Sequence, residues 1–348
     1  MKQRLARLRS MLDSLGLGYM LITKIENVRY LSGFGGSSAV GLVTPTGSIL
    51  FTDGRYKKQA PAQASGWEIR VYTRSIFKEI AGAVPMSERC GFEVTCSFDF
   101  QNKLSVEVDR SRLEPLDGIV EGLRGTKDEE EIERIRAALG CAKAGFDAIR
   151  AMVTAGSSER EIAAELNYRM TLAGADGPAF DTIVSSGPNS ALPHAPLTDR
   201  PLSEGDLVVV DFGAKRDGYL SDTTRTFLLP GADARAREAF EVVSGALEEV
   251  LGSLKPGDKA SDVDAMANEY IAKASFAEHL SHSLGHGVGL EIHEKPTLSA
   301  ISADVLEPGM VFTIEPGAYI EGLGGVRIEE LVLMTERGPE VLSADISA

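Results

Sequence analysis

The sequence predicts an α/β (α+β) chain of two domains: a mixed α/β domain over residues 1–124, then a domain over 125–348 that runs helix pair, hairpin, helix pair, hairpin. Three observations predict it. Apolar residues switch between helical and strand spacing along the first 124 residues. A helix-capping pattern just past Arg124-Gly125 opens a new helical layer. Two stretches about a hundred residues apart, Glu204 to Thr226 and Glu307 to Met334, then repeat one plan of carboxylate, loop, carboxylate and apolar strand.

In the first domain Leu5, Leu8, Met11, Leu12 and Leu15 recur at helical spacing, and Gly16 and Gly18 stop that helix before a strand at Tyr19 to Thr23. Ala39 to Val43 and Ile49-Leu50-Phe51, joined by Thr44-Pro45-Thr46-Gly47, read as a hairpin. Trp67 to Tyr72 and Gly91 to Val94 read as further strands. Gly33 to Ser38 is glycine-rich, but a strand follows it where a phosphate loop needs a helix N-terminus, so that reading is set aside.

In the second domain Thr126-x-x-Glu129 reads as a capping box ahead of Ile132, Ile135, Leu139, Ala142 and Phe146, with the acidic run Asp128 to Glu131 complementing the helix dipole. Ser158-x-x-Glu161 caps a second helix through Met170, Ala236 to Leu254 forms a third, and Ser261-x-x-Asp264 opens a fourth.

Val208-Val209-Val210 is a β-branched run that ends on Asp211, and a Gly-containing connection leads to a second run opening with Asp222. Gly205 precedes Asp211 by six positions and Gly309 precedes Glu315 by six; Gly218 precedes Asp222 by four and Gly325 precedes Glu329 by four. A core holding both hairpins would bring Asp211, Asp222, Glu315 and Glu329 together. Four such carboxylates repel one another unless about four positive charges sit among them, which two divalent cations supply. The plainer alternative is four acids at strand ends held by Arg225 and Arg327, and the repeated plan favours metal.

Four of the five histidines, His194, His282, His286 and His293, lie in segments that also hold Gly or Pro; His279 is the outlier, at the surface or a helix end. In HSLGHGVGLEIHE the glycines at 285, 287 and 289 let the backbone bend, so His286 and His293 need not point to opposite faces. A site of carboxylates and imidazole suits manganese, cobalt or zinc. Two such ions lower the pKa of a shared water and polarise a carbonyl, so hydrolysis is the expected reaction. A nucleophile mechanism lacks its residues, since there is no G-x-S-x-G elbow and the cysteines have no neighbouring His.

The 348 residues, 43% hydrophobic, supply a core for each domain. A net charge of −15 argues against a nucleic-acid partner. Cys90, Cys96 and Cys141 are odd in number and show no metal spacing, which fits a reducing compartment. The charged N-terminus lacks a signal-length apolar core and no run of eighteen apolar residues occurs, so the expected location is the cytoplasm, without a membrane partner.

The set SALPHA around His194, VVVDFGA with Asp211, SDTTRT with Asp222, HSLGHGVGLEIHE, TIEPGAY with Glu315 and GGVRIEE with Glu329 resembles the pita-bread (creatinase/aminopeptidase-like) metallopeptidases, in their aminopeptidase P and prolidase branch, over the whole chain. The resemblance implies a creatinase-like N-terminal domain, a catalytic domain with a pseudo-twofold repeat, and two divalent metal ions per subunit, manganese first and cobalt or zinc as alternatives. It implies that Asp211 is a terminal ligand of one metal, that Asp222 and Glu329 bridge both, and that His286 and Glu315 complete the second. Glu315 would also relay a proton to the leaving amine, His194 would stabilise the tetrahedral intermediate, and His293 would bond the substrate backbone. His282 and Arg327 would fix the site. Tyr219, between the two aspartates, reads as a packed strand aromatic.

The implied substrates are peptides with proline in second place, cut before the proline by a homo-oligomer, dimer or tetramer. An Xaa-Pro aminopeptidase acting on tripeptides and longer chains is the first expectation, from the compact length and the lack of an evident basic motif for a dipeptide carboxylate. Xaa-Pro dipeptidase (prolidase) is the alternative, because a single arginine can clamp a carboxylate. The extra N-terminal domain disfavours methionine aminopeptidase. The filled ligand set disfavours metal-free creatinase-like chemistry and a noncatalytic binding module.

Overall fold

The computed structural model describes residues 1–274 and 282–348 and divides into two compact units, Met1–Arg124 and Gly125–Ala348. His279 lies outside the described residues.

The first unit opens with α1 (Lys2–Ser14) and holds a six-stranded sheet of β1 (Tyr19–Ile22), β2 (Ala39–Val43), β3 (Ser48–Thr52), β4 (Glu68–Val71), β5 (Cys90–Glu93) and β6 (Leu113–Leu116), in the order β4-β3-β2-β1-β5-β6. β1, β2 and β3 form an antiparallel meander, while β4 joins β3, β5 joins β1 and β6 joins β5 in parallel. Parallel joins need crossovers, which α3 (Gln59–Gln63), α4 (Ile76–Ala83) and α5 (Phe98–Glu107) help to make, while α2 (Ile25–Ser32) and α6 (Ile119–Gly125) flank them. Leu21, Leu42, Phe51, Phe92 and Leu104 fill the core. The glycine segment 33–38 runs into β2, a strand, as its sequence context required.

In the second unit α7 (Glu129–Ile149) and α8 (Glu159–Leu172) precede one hairpin, and α9 (Ala234–Ser253) and α10 (Ala260–Ala272) precede the other. Two of the expected helix starts are corrected. The cap of α7 is Asp128, in a reciprocal box with Glu131, because Thr126 is still extended and bridges to Met310. α10 follows Lys259 without a side-chain cap, and Asp264 instead accepts from the Leu284 N–H at 3.0 Å and from Asn268 at 2.9 Å. The Ser158/Glu161 box on α8 is as expected.

After β7 (Gly177–Pro178) and β8 (Ile183–Ser186) comes the first hairpin, β9 (Leu207–Phe212) and β10 (Ala214–Arg216), which pair with β8 and β7 and return as β11 (Tyr219–Leu220) and β12 (Thr223–Leu228). Its turn, Asp217-Gly218, has φ of 49° and 80°, the left-handed pair that a two-residue hairpin turn demands. The second is β15 (Val311–Ile314) and β16 (Gly317–Ile320) returning as β17 (Gly324–Arg327) and β18 (Glu330–Thr335). Each of the four arms is thus broken once, giving the pseudo-twofold plan. Two further strands, β13 (Gly285–Gly287) and β14 (Glu294–Leu298), lie beside β15 in the sheet order β14-β13-β15-β18-β19, closed by β19 (Gly338–Val341). Leu247, Val250, Val263, Phe312 and Val332 share a core beneath this sheet, and Phe146 of α7 stacks on Phe212 at 5.0 Å. Among the described residues no helix is long and apolar enough to cross a membrane.

Candidate metal centre

Asp211, Asp222, Glu315 and Glu329 sit at or beside the four breaks in the hairpin arms. Strand alternation then fixes what meets them. Thr224 lies opposite Asp211 across the β9/β12 ladder, and its side chain shares a face with that of Thr226. The Thr224 hydroxyl donates to Glu329 Oε2 at 2.7 Å while its carbonyl accepts from the Glu329 N–H at 3.1 Å. The Thr226 hydroxyl donates to the Arg327 carbonyl at 2.7 Å and accepts from the Arg327 N–H at 3.1 Å. Two threonines of the first hairpin therefore clasp the second.

His286 enters from β13, where the register shifts between His286 and Gly287 and re-aims the ring. Gly287 is needed for close approach, since a Cβ there would lie 2.1 Å from the Lys295 carbonyl oxygen. His286 Nδ1 donates to the Gly287 carbonyl at 3.2 Å, which leaves Nε2 unprotonated and facing Glu315 at 3.4 Å and Asp222 at 3.7 Å. Ligand atoms of Asp222, His286 and Glu329 lie within 4.8 Å of one another. The Glu315 N–H donates to Leu284, the residue that Asp264 anchors, and its carboxylate accepts from Thr313 at 3.4 Å.

Arg327 Nη2 donates to Asp211 Oδ2 at 2.6 Å, and its Nη1 donates to Tyr319 Oη at 2.6 Å. His282 Nδ1 faces the Ser283 carbonyl at 2.8 Å, so Nδ1 carries the proton and Nε2 accepts from the Tyr319 hydroxyl at 2.9 Å. Arg327 thus donates two ways, to Asp211 on one side and, through Tyr319 and His282, toward the Ser283 carbonyl on the other. Tyr319 escaped the sequence reading because an aromatic in a strand looks like core, which is what Tyr219 is: buried, with its hydroxyl on Glu131 at 3.0 Å. Arg225 does not hold the four acids; it turns to Glu330 at 2.9 and 3.0 Å and to the Ile346 carbonyl.

The electrostatics suit cations. Burial, then Glu329, Asp211 and Glu315, raise the Asp222 pKa well above the carboxylate range; burial, then Glu315 and Asp211, do the same for Glu329. Burial pushes Glu315 up to about 8 against the pull of Arg327. Burial and then His293 lower His286 to about 4, so its imidazole is neutral near pH 7. Burial also lowers His282. Asp211 Oδ1 is buried with no hydrogen-bond partner. Converging carboxylates, a free imidazole nitrogen and an orphaned carboxylate oxygen are the donor set of a hard divalent ion, and among the described residues Arg327 is the cation bonded to it.

Around this cluster, the His293 ring meets that of His286 edge-on at 4.3 Å. His194 is exposed on the segment after the short 3-10 helix Gly187–Ala191, near enough to His282 and His293 that its charge would disfavour theirs.

Comparison with known proteins follows the same lines. Residues 133–336 match the family model of metallopeptidase family M24, and residues 4–125 match the creatinase/prolidase N-terminal domain. The chain is 38% identical over 349 residues to the Xaa-Pro dipeptidase of Pyrococcus furiosus, covering 99% of this chain and 98% of that protein. A solved Xaa-Pro dipeptidase from Bacillus anthracis superposes with a TM-score of 0.96 at 37% identity, over 100% of this chain and 98% of the other. An X-Pro aminopeptidase from Thermotoga maritima superposes with a TM-score of 0.87 at 36% identity, over 94% and 96%.

Proposed function

The chain belongs to metallopeptidase family M24, and from that premise we propose that it is an Xaa-Pro dipeptidase, releasing proline from dipeptides, with residues 125–348 as its catalytic domain. It is a hydrolase, and its family membership implies divalent metal. The observation that supports the reading is the buried convergence of Asp211, Asp222, Glu315, Glu329 and neutral His286, in which burial and mutual repulsion penalise the ionised carboxylates and Asp211 Oδ1 has no hydrogen-bond partner. The choice of dipeptide departs from the longer substrates expected above, which rested on a missing basic motif. The similarity to named Xaa-Pro dipeptidases is the stronger ground.

Two ions, manganese first and cobalt or zinc as alternatives, would be held by the five residues of that cluster and would supply a water nucleophile of lowered pKa and charge stabilisation at the scissile carbonyl. Asp211, Asp222 and Glu329, with His286 and Glu315, would hold the ions. Arg327 neutralises Asp211 Oδ2 and aims the carboxylate, leaving Oδ1 free to ligate. Glu315 would take a proton from the attacking water and hand it to the leaving nitrogen. His194 and His293 would donate to the substrate carbonyl and backbone from the exposed rim. The three free cysteines fit a reducing cytoplasm. Homo-oligomeric assembly, dimer or tetramer, belongs to the same proposal.

Hydrolysis of Ala-Pro and Ala-Pro-Ala by the manganese-loaded protein tests the substrate. The dipeptide is expected to have the higher kcat/KM, and preference for the tripeptide would transfer the chain to the aminopeptidase reading that the Thermotoga likeness favours. Tyr319→Phe keeps the ring and removes the hydroxyl between His282 and Arg327. A loss of about ten- to hundredfold in kcat/KM is expected, as for other groups that orient metal ligands. Steady-state kinetics beside metal analysis checks it.

A further inference from the structure

His194 is carried on the connection from β8 (Ile183–Ser186) to β9, residues 187–206, whose regular structure is the 3-10 helix Gly187–Ala191. Connections this long need added anchors to hold a side chain in one place. One anchor lies toward the metal centre, where Arg327 Nη1 donates to the Pro193 carbonyl at 3.1 Å and the Gly325 N–H donates to Ser190 Oγ at 2.8 Å.

The other anchor is a carboxylate that the mechanism leaves unused. Glu159, in the first turn of α8, is 0% exposed. Its Oε1 accepts from the Ser186 N–H and hydroxyl at 2.8 Å each and from Asn189 Nδ2 at 3.1 Å; its Oε2 accepts from Asn189 Nδ2 at 3.3 Å and from the Thr198 hydroxyl. Asn189 and Thr198 straddle His194 in sequence. The neighbouring Arg200 is bidentate on Asp206 at 2.6 and 3.0 Å and also donates to Ser186 Oγ at 2.6 Å. Glu159 is thus satisfied mainly by hydroxyl, amide and backbone donors of the segment it holds. A glutamine would turn an N–H₂ toward some of those donors, because only a carboxylate offers acceptors on both terminal atoms.

We infer that Glu159 is a positioning residue for the hydrolytic reaction, fixing the segment from Ser186 to Thr198 so that His194 meets the substrate. The inference rests on the proposed role of His194. A double-mutant cycle of Glu159→Gln and His194→Ala tests it, with Ala-Pro kinetics, metal content and thermal midpoint read on each manganese-loaded protein. Glu159→Gln is expected to lower kcat about ten- to hundredfold, as small misplacements do, with metal content retained. In the His194→Ala background the same change is expected to cost nothing further. An equal loss in both backgrounds, or no loss in the wild-type background, overturns the inference while leaving the function standing. Full activity of His194→Ala would instead remove the role of His194, and this inference with it. If Glu159→Gln does not fold, the pair Asn189→Ala and Thr198→Ala removes the donors from the other side and is read by the same cycle, with the same outcomes deciding.

Discussion

Glu329→Gln is expected to abolish nearly all turnover while leaving the metal-free protein at least as stable as the wild type. The two effects have opposite signs because the same charge plays opposite parts with and without cations. Glu329 is 2% exposed, and burial and its acidic neighbours already penalise its ionised form. Glutamine keeps the shape and can still accept from Thr224, so the metal-free fold loses a repulsion and little else. With metal, one of the charges proposed to hold the ions is gone. Losing several kcal/mol of charge stabilisation from the ions corresponds to about a thousandfold or more in rate. Asp222→Asn should behave alike. Kinetics, metal analysis and melting of the chelated proteins check the pair, and a metal-free variant less stable than wild type would refute the account.

The chelated wild type is expected to lose thermal stability as pH rises from about 6.5 to about 8, and added manganese to reverse that loss most at the alkaline end. The sign follows from proton binding. Glu315 gives up its proton near 4.5 in the unfolded chain but holds it to about 8 when folded, so over that interval the folded state binds more protons and stability falls with pH. Asp222 and Glu329, raised by the same causes, act in the same direction. His286 acts oppositely: it charges near 6.5 when unfolded and near 4 when folded, so below 6.5 its contribution to stability rises with pH. Above 6.5 the carboxyls act without that opposition. Melting curves across pH with and without chelator decide, and a flat chelated profile between 6.5 and 8 would sink the cluster's electrostatics.

Much of this centre was readable in the chain. The paired glycine spacings marked two hairpins of one design, and four acids in such a design implied cations. The breaks in the arms were not readable, because where a strand stops pairing depends on its partner strands more than on its own residues. Arg225 and Arg327 looked equivalent as sequence; only packing sends one to Glu330 and the other to Asp211. Asp128 was hidden by overlap, since TKDEEE contains two capping frames and the bridge from Thr126 to Met310 decides between them. Glu159 was hidden inside a true cap, where a first-turn acid already has a sufficient reason to be present. Preference for dipeptide or longer peptide had no residue to announce it.

The clasp of Thr224 and Thr226 on Glu329 and Arg327 has one more consequence. Glu329 of the second half is held by the hydroxyl and carbonyl of Thr224 from the first, and Asp211 of the first half by the guanidinium of Arg327 from the second. Neither half is a smaller version of the whole, so a protein severed between the hairpins would have to recover its cations through reassociation of the pieces. Metal affinity in such a split chain would then read out how well the two halves recognise one another.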